Sequence, residues 1–343
     1  MAECRFRDST VIGDYKLPYV VAEVNTSHNG SMKTAKALID GAKTAGCHCV
    51  KFQSWSAESL YSKSYYKENP ISKRIFNKFA FSEENLLEVA EYSKNAGIAF
   101  NSTPYSKEEV DFLIEKCRVP YIKIASMDIN NYPFLDYIAK TNVPIVLATG
   151  MAEMDEIYKA VEIIEKAGNK NLCLLHCISI YPPEISTIQL NNIIGLRHSF
   201  PGYPIGFSDH SLGIEMDSAA VVLGAALIEK HLTLDRTKIG MDNHMAIHPE
   251  EMAQLVRNCH SIHMALGGTE REVTQEETLQ RNKMRRSIVA ARDLKAGTRL
   301  SIDDLNAKRP GTGIPPEKTY ELIGKTVKKD IEADTPITIE DIE

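Results

Sequence analysis

Several features that would settle a protein's class are missing from this sequence. No uninterrupted apolar run is long enough to cross a bilayer. The opening stretch, Met1 to Tyr15, mixes charged and polar residues and holds no apolar core of a secretory leader. There is no basic excess: 40 Lys and Arg stand against 46 Asp and Glu, a formal net charge of −6. That balance argues against a nucleic-acid-binding surface over the whole chain. No even, regularly spaced set of cysteines is present either. Cys4, Cys47, Cys49, Cys117, Cys173, Cys177 and Cys259 are odd in number and scattered, a pattern of reduced, buried thiols in a cytoplasmic protein rather than of a disulfide framework. Cys173 and Cys177 fall two pleats apart on one expected strand and share a face, but no cysteine metal or redox site is expected from them. The reading so far is a cytoplasmic protein with neither nucleic acid nor membrane as partner.

What is present is ordinary in amount and telling in order. The 343 residues, 43% apolar and 25% charged, suffice for one large domain and one small one. Short aliphatic runs recur at Tyr19–Glu23, His48–Gln53, Ile98–Ser102, Tyr121–Ser126, Pro144–Thr149, Leu172–Cys177, Pro204–Ser208 and Leu227–His231. Amphipathic stretches separate them, near 31–46, 83–96, 106–117, 132–140, 153–167, 188–199 and 212–225, with one more near 249–266. Parallel strands need such crossovers. Eight repeats of the unit predict an α/β fold, a closed (β/α)8 TIM barrel. A doubly wound open sheet is the alternative. Its glycine-rich fingerprint after the first strand is missing, since Glu23 to Gly30 contains one glycine only.

The pattern then changes. From about 268 to 284 the chain is highly polar, with Glu270, Glu272, Glu276, Glu277 and Arg281, and reads as a linker. Beyond Arg286 come short strand-like pieces with Gly and Pro turns. The expected division is a barrel domain over 1–270, a linker over 271–284 and a small C-terminal domain over 285–343. About sixty residues is near the lower limit for an independent core, so the small domain is expected to lean on the barrel or on a partner chain.

Barrel chemistry sits at the C-terminal ends of the strands, and nearly every strand here ends in a polar residue. The first ends in Glu23. The second carries Lys51 and Gln53 on one face and Val50 and Phe52 on the other. The third ends in Ser102-Thr103-Pro104-Tyr105, and the fourth carries Lys123, then Ser126 and Asp128. The seventh ends in Ser208-Asp209-His210. The eighth places Glu229 and His231 on one face and Lys230 on the other.

A buried lysine is costly unless paired. Two in one barrel mouth call for a strongly anionic ligand, such as one carrying phosphate and carboxylate, with Thr103, Ser126 and Ser208 as further donors. The alternative is that each lysine pairs with a barrel carboxylate such as Glu23 or Glu229. His210 and His231 end adjacent strands, and two imidazoles with open positions suit Mn, Fe, Co or Zn. Asp209 is read as orienting a neighbour. Asp242, in Gly240-Met241-Asp242-Asn243-His244-Met245 after the eighth strand, could bind substrate hydroxyls or merely cap a turn. His28, His176, His244 and His248 are weaker candidates without an assigned partner.

Taken in order, the runs Glu23…Asn25…His28-Asn29-Gly30, Lys51-Phe52-Gln53, Ser102-Thr103-Pro104-Tyr105, Lys123-Ile124-Ala125-Ser126, Thr149-Gly150-Met151, His176-Cys177…Tyr181-Pro182, Gly206-Phe207-Ser208-Asp209-His210 and Glu229-Lys230-His231 resemble the N-acetylneuraminate (sialic acid) synthase family. That family includes the pseudaminic and legionaminic acid synthases. The tail, from Arg286-Ser287-Ile288-Val289-Ala290 through Lys308-Arg309-Pro310-Gly311, resembles its antifreeze-like SAF domain, a β-clip.

The resemblance implies a transferase that condenses phosphoenolpyruvate with an N-acetylated hexosamine, giving a nonulosonic acid and phosphate. It implies a divalent metal, Mn2+ with Mg2+ or Co2+ as alternatives, on His210 and His231. Phosphoenolpyruvate would be held by Lys51, Thr103, Lys123, Ser126 and Ser208, and the sugar by Glu23, Gln53, Tyr105, Tyr181 and Asp242. Glu23 would handle protons. A domain-swapped homodimer is implied as well, with Arg309 of the tail reaching the N-acyl group in the other chain's site.

Departures from the family pattern bear on the sugar. N-acetylneuraminate synthases commonly have Glu at the place of Asp128, Asn at that of Ser179 and Ser at that of Ala148. The two competing readings are a related synthase acting on a phosphorylated sugar and a non-catalytic glycan-binding protein.

Overall fold

A computed structural model describes residues 1–343. The chain divides into two compact units, Met1–Gly267 and Gly268–Glu343.

The first unit is built on an eight-stranded parallel sheet whose strands follow one another in sequence order: Tyr19–Glu23, Cys49–Gln53, Ala99–Thr103, Ile122–Ile124, Ile145–Ala148, Leu172–Cys177, Ile205–Asp209 and Leu227–His231. The eighth strand pairs with the first, His231 opposite Glu23, so the sheet curls into a (β/α)8 barrel. Between the third and fourth strands there is no ladder. There Asn101, wholly buried, donates its side-chain amide to the Tyr121 carbonyl at 2.8 Å and carries the closure across.

Helices cover the outside, at Met32–Ala45, Glu83–Ala96, Lys107–Phe112, Tyr132–Lys140, Met154–Lys166, Asn192–Ser199, Glu215–Val222 and Pro249–Leu266. Serines start several of them. Ser82 accepts from Asn85 N–H while Asn85 returns a bond to the Ser82 backbone, and Ser31 and Ser106 accept from Thr34 and Glu109 N–H. Gly46 and Gly97 end two helices in the left-handed conformation, at φ 87° and 74°.

Alternation along the strands sorts the side chains. Val50 and Phe52 join the large core between sheet and helices, with Ala22, Ile122, Ile124, Leu174, Phe207 and Ile228. The opposite faces point into the barrel, where Val21, Cys49, Val146, Cys173, Leu175 and Cys177 make a second cluster. All seven cysteines are free.

An antiparallel hairpin, Glu3–Arg5 with Val11–Gly13, precedes the barrel. It supplies Cys4, Phe6 and Ile12 to the inner cluster. Phe6 lies 4.5 Å from the Tyr121 ring and 5.3 Å from Tyr19, centroid to centroid. Tyr19 and Tyr121 stand at the starts of the first and fourth strands, so this plug closes the N-terminal end. After the second strand the chain makes three short helices not foreseen from the sequence, Ala57–Leu60, Lys63–Glu68 and Pro70–Phe79. They form a small cluster of their own around Trp55, Tyr66, Phe76 and Phe79.

In the second unit, the polar stretch 271–284 expected as a linker holds a helix, Gln275–Met284, capped by Thr274 and with no buried residue. A helix exposed all round has no apolar stripe for a sequence reading to catch. Ser287–Ala290 pairs antiparallel with Leu305–Lys308. The small domain has an apolar core of its own, with Ile288, Leu294, Leu300, Leu322, Val327, Ile331 and Ile337. No helix of the chain is long and apolar enough to cross a membrane.

Candidate functional site

The C-terminal ends of the barrel strands open on a cavity of about 520 Å3, within the usual size for a small-molecule site. Glu23, Lys51, Gln53, Thr103, Tyr105, Lys123, Ser126, Ser179, Tyr181, Ser208, His210, His231 and Asp242 all line it. They come from seven different strands or the loops that follow them. Two expected residues are placed elsewhere. Asp128 is outside the lining, and its carboxylate accepts from the Asn131 amide at 3.1 Å. Arg309 belongs to the second unit, where it is exposed and its Nε donates to the Met284 carbonyl at 3.1 Å.

The floor of the cavity is a buried charge cluster. Lys51 pairs with Glu23, lies 3.8 Å from Glu229 and donates to Thr103 Oγ1 at 3.0 Å. Lys123 lies 3.6 Å from Glu229, which also accepts from Ser208 Oγ at 3.1 Å. Both lysines thus have carboxylate partners, as the sequence reading left open, and both also face the cavity.

The two glutamates do not behave alike. Burial pushes Glu23 up to about 7 against the pull of Lys51. Burial acts on Glu229 in the same sense, but Lys123 and Lys51 together hold it below the ordinary carboxylate range. Lys51 keeps its ammonium despite burial, because Glu229 and Glu23 face it. Their environments thus drive the two carboxylates apart, Glu23 upward and Glu229 downward.

At one side of this floor the imidazoles of His210 and His231 lie 5.3 Å apart, ring centre to ring centre. His210 Nδ1–H donates to the Ile178 carbonyl at 2.8 Å. That bond sets its tautomer and leaves Nε2 as a lone-pair donor. Burial first, and His210 beside it, keep His231 well below the usual imidazole range and therefore neutral. Asp242 approaches His231 Nδ1 at 3.8 Å and accepts from the Asn25 amide.

No group of three or more His, Cys, Asp or Glu is disposed to hold a metal ion. The ring nitrogens of His210 and His231 nonetheless fit a divalent ion whose other positions are completed by substrate and water.

Behind the imidazoles, Lys230 is buried on the outer face of its strand. It pairs with Asp209, lies 3.3 Å from Asp217 and donates to the Ser211 carbonyl at 2.8 Å. Asp209 in turn accepts from Ser211 N–H and Oγ–H at 2.9 and 2.8 Å. The residues flanking His210 and His231 are therefore fixed to one another.

The other histidines serve the frame. His28 is buried 3.9 Å from the Phe81 ring, with Nδ1 accepting from Gly30 N–H. His176 meets the Ile188 carbonyl at 2.7 Å. His248 caps the last barrel helix, and His244 is exposed beside Tyr181.

Residues to which the sequence reading assigned no role also line the cavity. Asn25 and Cys177 stand within the motifs it quoted. Trp55, Leu60, Tyr61 and Phe76 come with the three short helices, and Met127, Met151 and Met241 from loops. Serines at Ser56 and Ser62 and Asn69 before Pro70 carry helix-start signals that would have exposed the insertion.

A sealed barrel whose single mouth gathers lysines, carboxylates and paired imidazoles defines an anion-handling catalytic barrel. Comparison with known proteins narrows this. Residues 38–271 match the NeuB family and residues 285–343 the SAF domain. The chain is 34% identical to the N,N'-diacetyllegionaminic acid synthase of Legionella pneumophila, over 95% of this chain and 94% of that one. It is also 34% identical to the N-acetylneuraminate-9-phosphate synthase of Mus musculus, over 95% and 92%. Among solved structures, a sialic acid synthetase from Leptospira borgpetersenii in complex with citrate superposes with a TM-score of 0.74 at 32% identity, covering 81% of this chain and 96% of that one. The chain belongs to the NeuB family of N-acetylneuraminate, legionaminic and pseudaminic acid synthases.

Proposed function

We propose that the protein is a transferase condensing phosphoenolpyruvate with the aldehyde of an N-acylated amino-hexose, giving a nonulosonic acid and phosphate. The observation that carries this is the meeting of Lys51 and Lys123 with Glu23, Glu229, His210 and His231 in one cavity. Phosphoenolpyruvate brings a phosphate and a carboxylate, which match two buried ammonium groups already held apart by Glu229. Thr103, Ser126 and Ser208 add hydroxyl donors around them.

Carbon 3 of phosphoenolpyruvate attacks the aldehyde carbon, and the aldehyde oxygen takes a proton. Carbon 2 is left cationic, adjacent to fixed negative charge on Glu229. Water adds there and loses its proton. The resulting tetrahedral carbon expels phosphate by C–O cleavage and becomes the ketone. Glu23, poised near neutrality, is assigned the proton exchange. His210 and His231 would hold a divalent ion of the Mn2+ type, with Mg2+ or Co2+ as alternatives, which supplies Lewis-acid polarisation of the acceptor oxygen. Most of the acceleration is assigned to positioning and fixed charge.

Gln53, Tyr105, Tyr181, Asp242 and Ser179 are assigned to the sugar. Asp128 is assigned a place near it, and Arg309 the acyl group in the site of a second copy, within a domain-swapped homodimer. The domain division proposed is a catalytic barrel over 1–270, a connecting segment over 271–284 and a SAF domain over 285–343. The seven free thiols suit a reducing compartment, and the reaction is placed in the cytoplasm.

The test is incubation with phosphoenolpyruvate, Mn2+ and a panel of 2-acetamido and 2,4-diacetamido hexoses, with phosphate release and product mass as readouts. A product heavier than the sugar by the elements of pyruvate is expected. Turnover should vanish on chelation and in His210→Ala. No phosphate release from any aldose sinks the reaction, and full activity of His210→Ala with metal still bound sinks the metal assignment.

A further inference from the structure

The side-chain amide of Gln53 makes three hydrogen bonds, and their polarity is fixed. Its Oε1 accepts from Trp55 Nε1–H at 3.0 Å and from Tyr105 O–H at 3.0 Å, and its Nε2–H donates to Glu23 Oε1 at 3.1 Å. Turned over, the amide would still suit Tyr105, because a phenol accepts as well as donates. It would not suit Trp55. The indole nitrogen carries a proton and offers no lone pair, so only an oxygen can face it. Trp55 therefore decides which end of the amide meets Glu23.

That decision passes to the carboxylate. Glu23 Oε1 accepts from Gln53 Nε2–H and, at 3.1 Å, from the Asn25 backbone N–H. Neither of these groups can accept a hydrogen bond in return. A proton on Glu23 is thereby directed to Oε2, the oxygen paired with Lys51. If the amide were free to turn, Gln53 Oε1 would face Glu23 Oε1 and hold a proton between them, on the wrong oxygen.

Trp55 is itself held from the other side. It is 3% exposed and packs edge-on to Phe76, centroids 5.6 Å apart, in the cluster built by the three short helices. A phenylalanine would pack there too, but only the indole adds a donor.

The geometry points to Trp55 as a positioning residue: through Gln53 it keeps Glu23 Oε1 an acceptor and commits Oε2 to proton exchange. This rests on the condensation proposed above, in which Glu23 exchanges the proton.

Trp55 is the only tryptophan of the chain, so its indole N–H gives a single signal in a nitrogen–proton correlation spectrum of the folded protein. In Gln53→Met that signal should move upfield, as a lost hydrogen bond requires. Kinetics test the consequence, with phosphoenolpyruvate, Mn2+ and whichever aldose of the panel above turns over. Trp55→Phe should lower kcat about threefold to tenfold, the effect of one hydrogen bond, with KM for phosphoenolpyruvate unchanged. Gln53→Met should lower kcat at least as far. In the Gln53→Met background, Trp55→Phe should have no further effect on kcat, because it acts only through that amide. An indole signal indifferent to Gln53→Met, or losses in kcat that simply multiply, overturns the inference and leaves the reaction standing. Absence of phosphate release by the parent from every aldose overturns the reaction, and the inference with it.

Discussion

Lys230 and Asp217 meet at 3.3 Å with neither touching water, at 1% and 0% exposure. Asp217 shares this space with Asp209. Burial first, then the neighbouring Asp209, push Asp217 well above the ordinary carboxylate range, so it keeps its proton. The cluster is therefore Lys230 with one charged and one neutral acid. Lys230→Met would strand Asp209 in the interior and should cost about 3–5 kcal/mol of stability. Asp217→Asn replaces a neutral acid with a neutral amide and should cost about 1 kcal/mol or less. Urea unfolding of the two variants measures the order, and equal losses would refute the assignment of charge.

Lys123 lies 3.6 Å from Glu229 in the cavity floor. If it holds one anionic end of phosphoenolpyruvate, Lys123→Met removes a charge-assisted contact of about 1.5–3 kcal/mol. KM for phosphoenolpyruvate should rise roughly tenfold to a hundredfold, with a much smaller change for the sugar. Initial-rate measurements with each substrate varied in turn distinguish the two, and a rise confined to the sugar would reverse the proposed arrangement.

Gly150 sits where a side chain has no room. A Cβ there would come 2.3 Å from Ser179 Oγ and 2.8 Å from Ser126 Oγ, while its N–H donates to Ser126 Oγ at 3.0 Å. Gly150→Ala must push both serines off their positions. A displacement of that order should lower kcat/KM about tenfold to a hundredfold. The fold should survive, as thermal unfolding would show. Unaltered kinetics would mean that Ser126 and Ser179 take no part in binding.

His28 titrates far from its ordinary value, burial pulling it to about 4. Its unfolded value is about 6.5. Between these limits the unfolded chain takes up a proton that the folded chain refuses, so stability is complete above about pH 6.5 and is lost as pH falls towards 4. The loss attributable to this residue is about 3 kcal/mol over that window. Urea midpoints at several pH values for the parent and His28→Asn measure it: the variant should be less sensitive to acid across that interval. An unchanged slope would place the acid sensitivity elsewhere, His48 and His176 being depressed by burial too.

The barrel was legible because nearly every one of its strands advertises itself twice, by an aliphatic run and by a polar residue at the end. Leu172–Cys177 and Leu227–His231 are strands with the boundaries read from sequence. Alternation put Lys51 and Gln53 on one face, and with Val50 and Phe52 packed towards the helices that face is the inward one. What alternation cannot disclose is charge that is buried outward. Lys230 occupies the helix-facing side of its strand, and only the side chains of Asp209 and Asp217 make that tolerable. The insertion Ala57–Phe79 escaped for another reason. Its first two helices, Ala57–Leu60 and Lys63–Glu68, are too short to show a repeating stripe, and its aromatic residues cluster with one another instead of joining the main core. Because that segment lines the cavity with Leu60, Tyr61 and Phe76, this side of the site was the part least readable.

The hairpin plugging the N-terminal end with Phe6 and Ile12 leaves the catalytic chamber with one doorway. On the proposed reading, whatever binds the floor lysines must pass through before the acceptor enters, and the larger product must clear the exit before phosphate trapped beneath it can escape. A blind-ended chamber would then impose a sequence of arrivals and departures, phosphoenolpyruvate first and phosphate last.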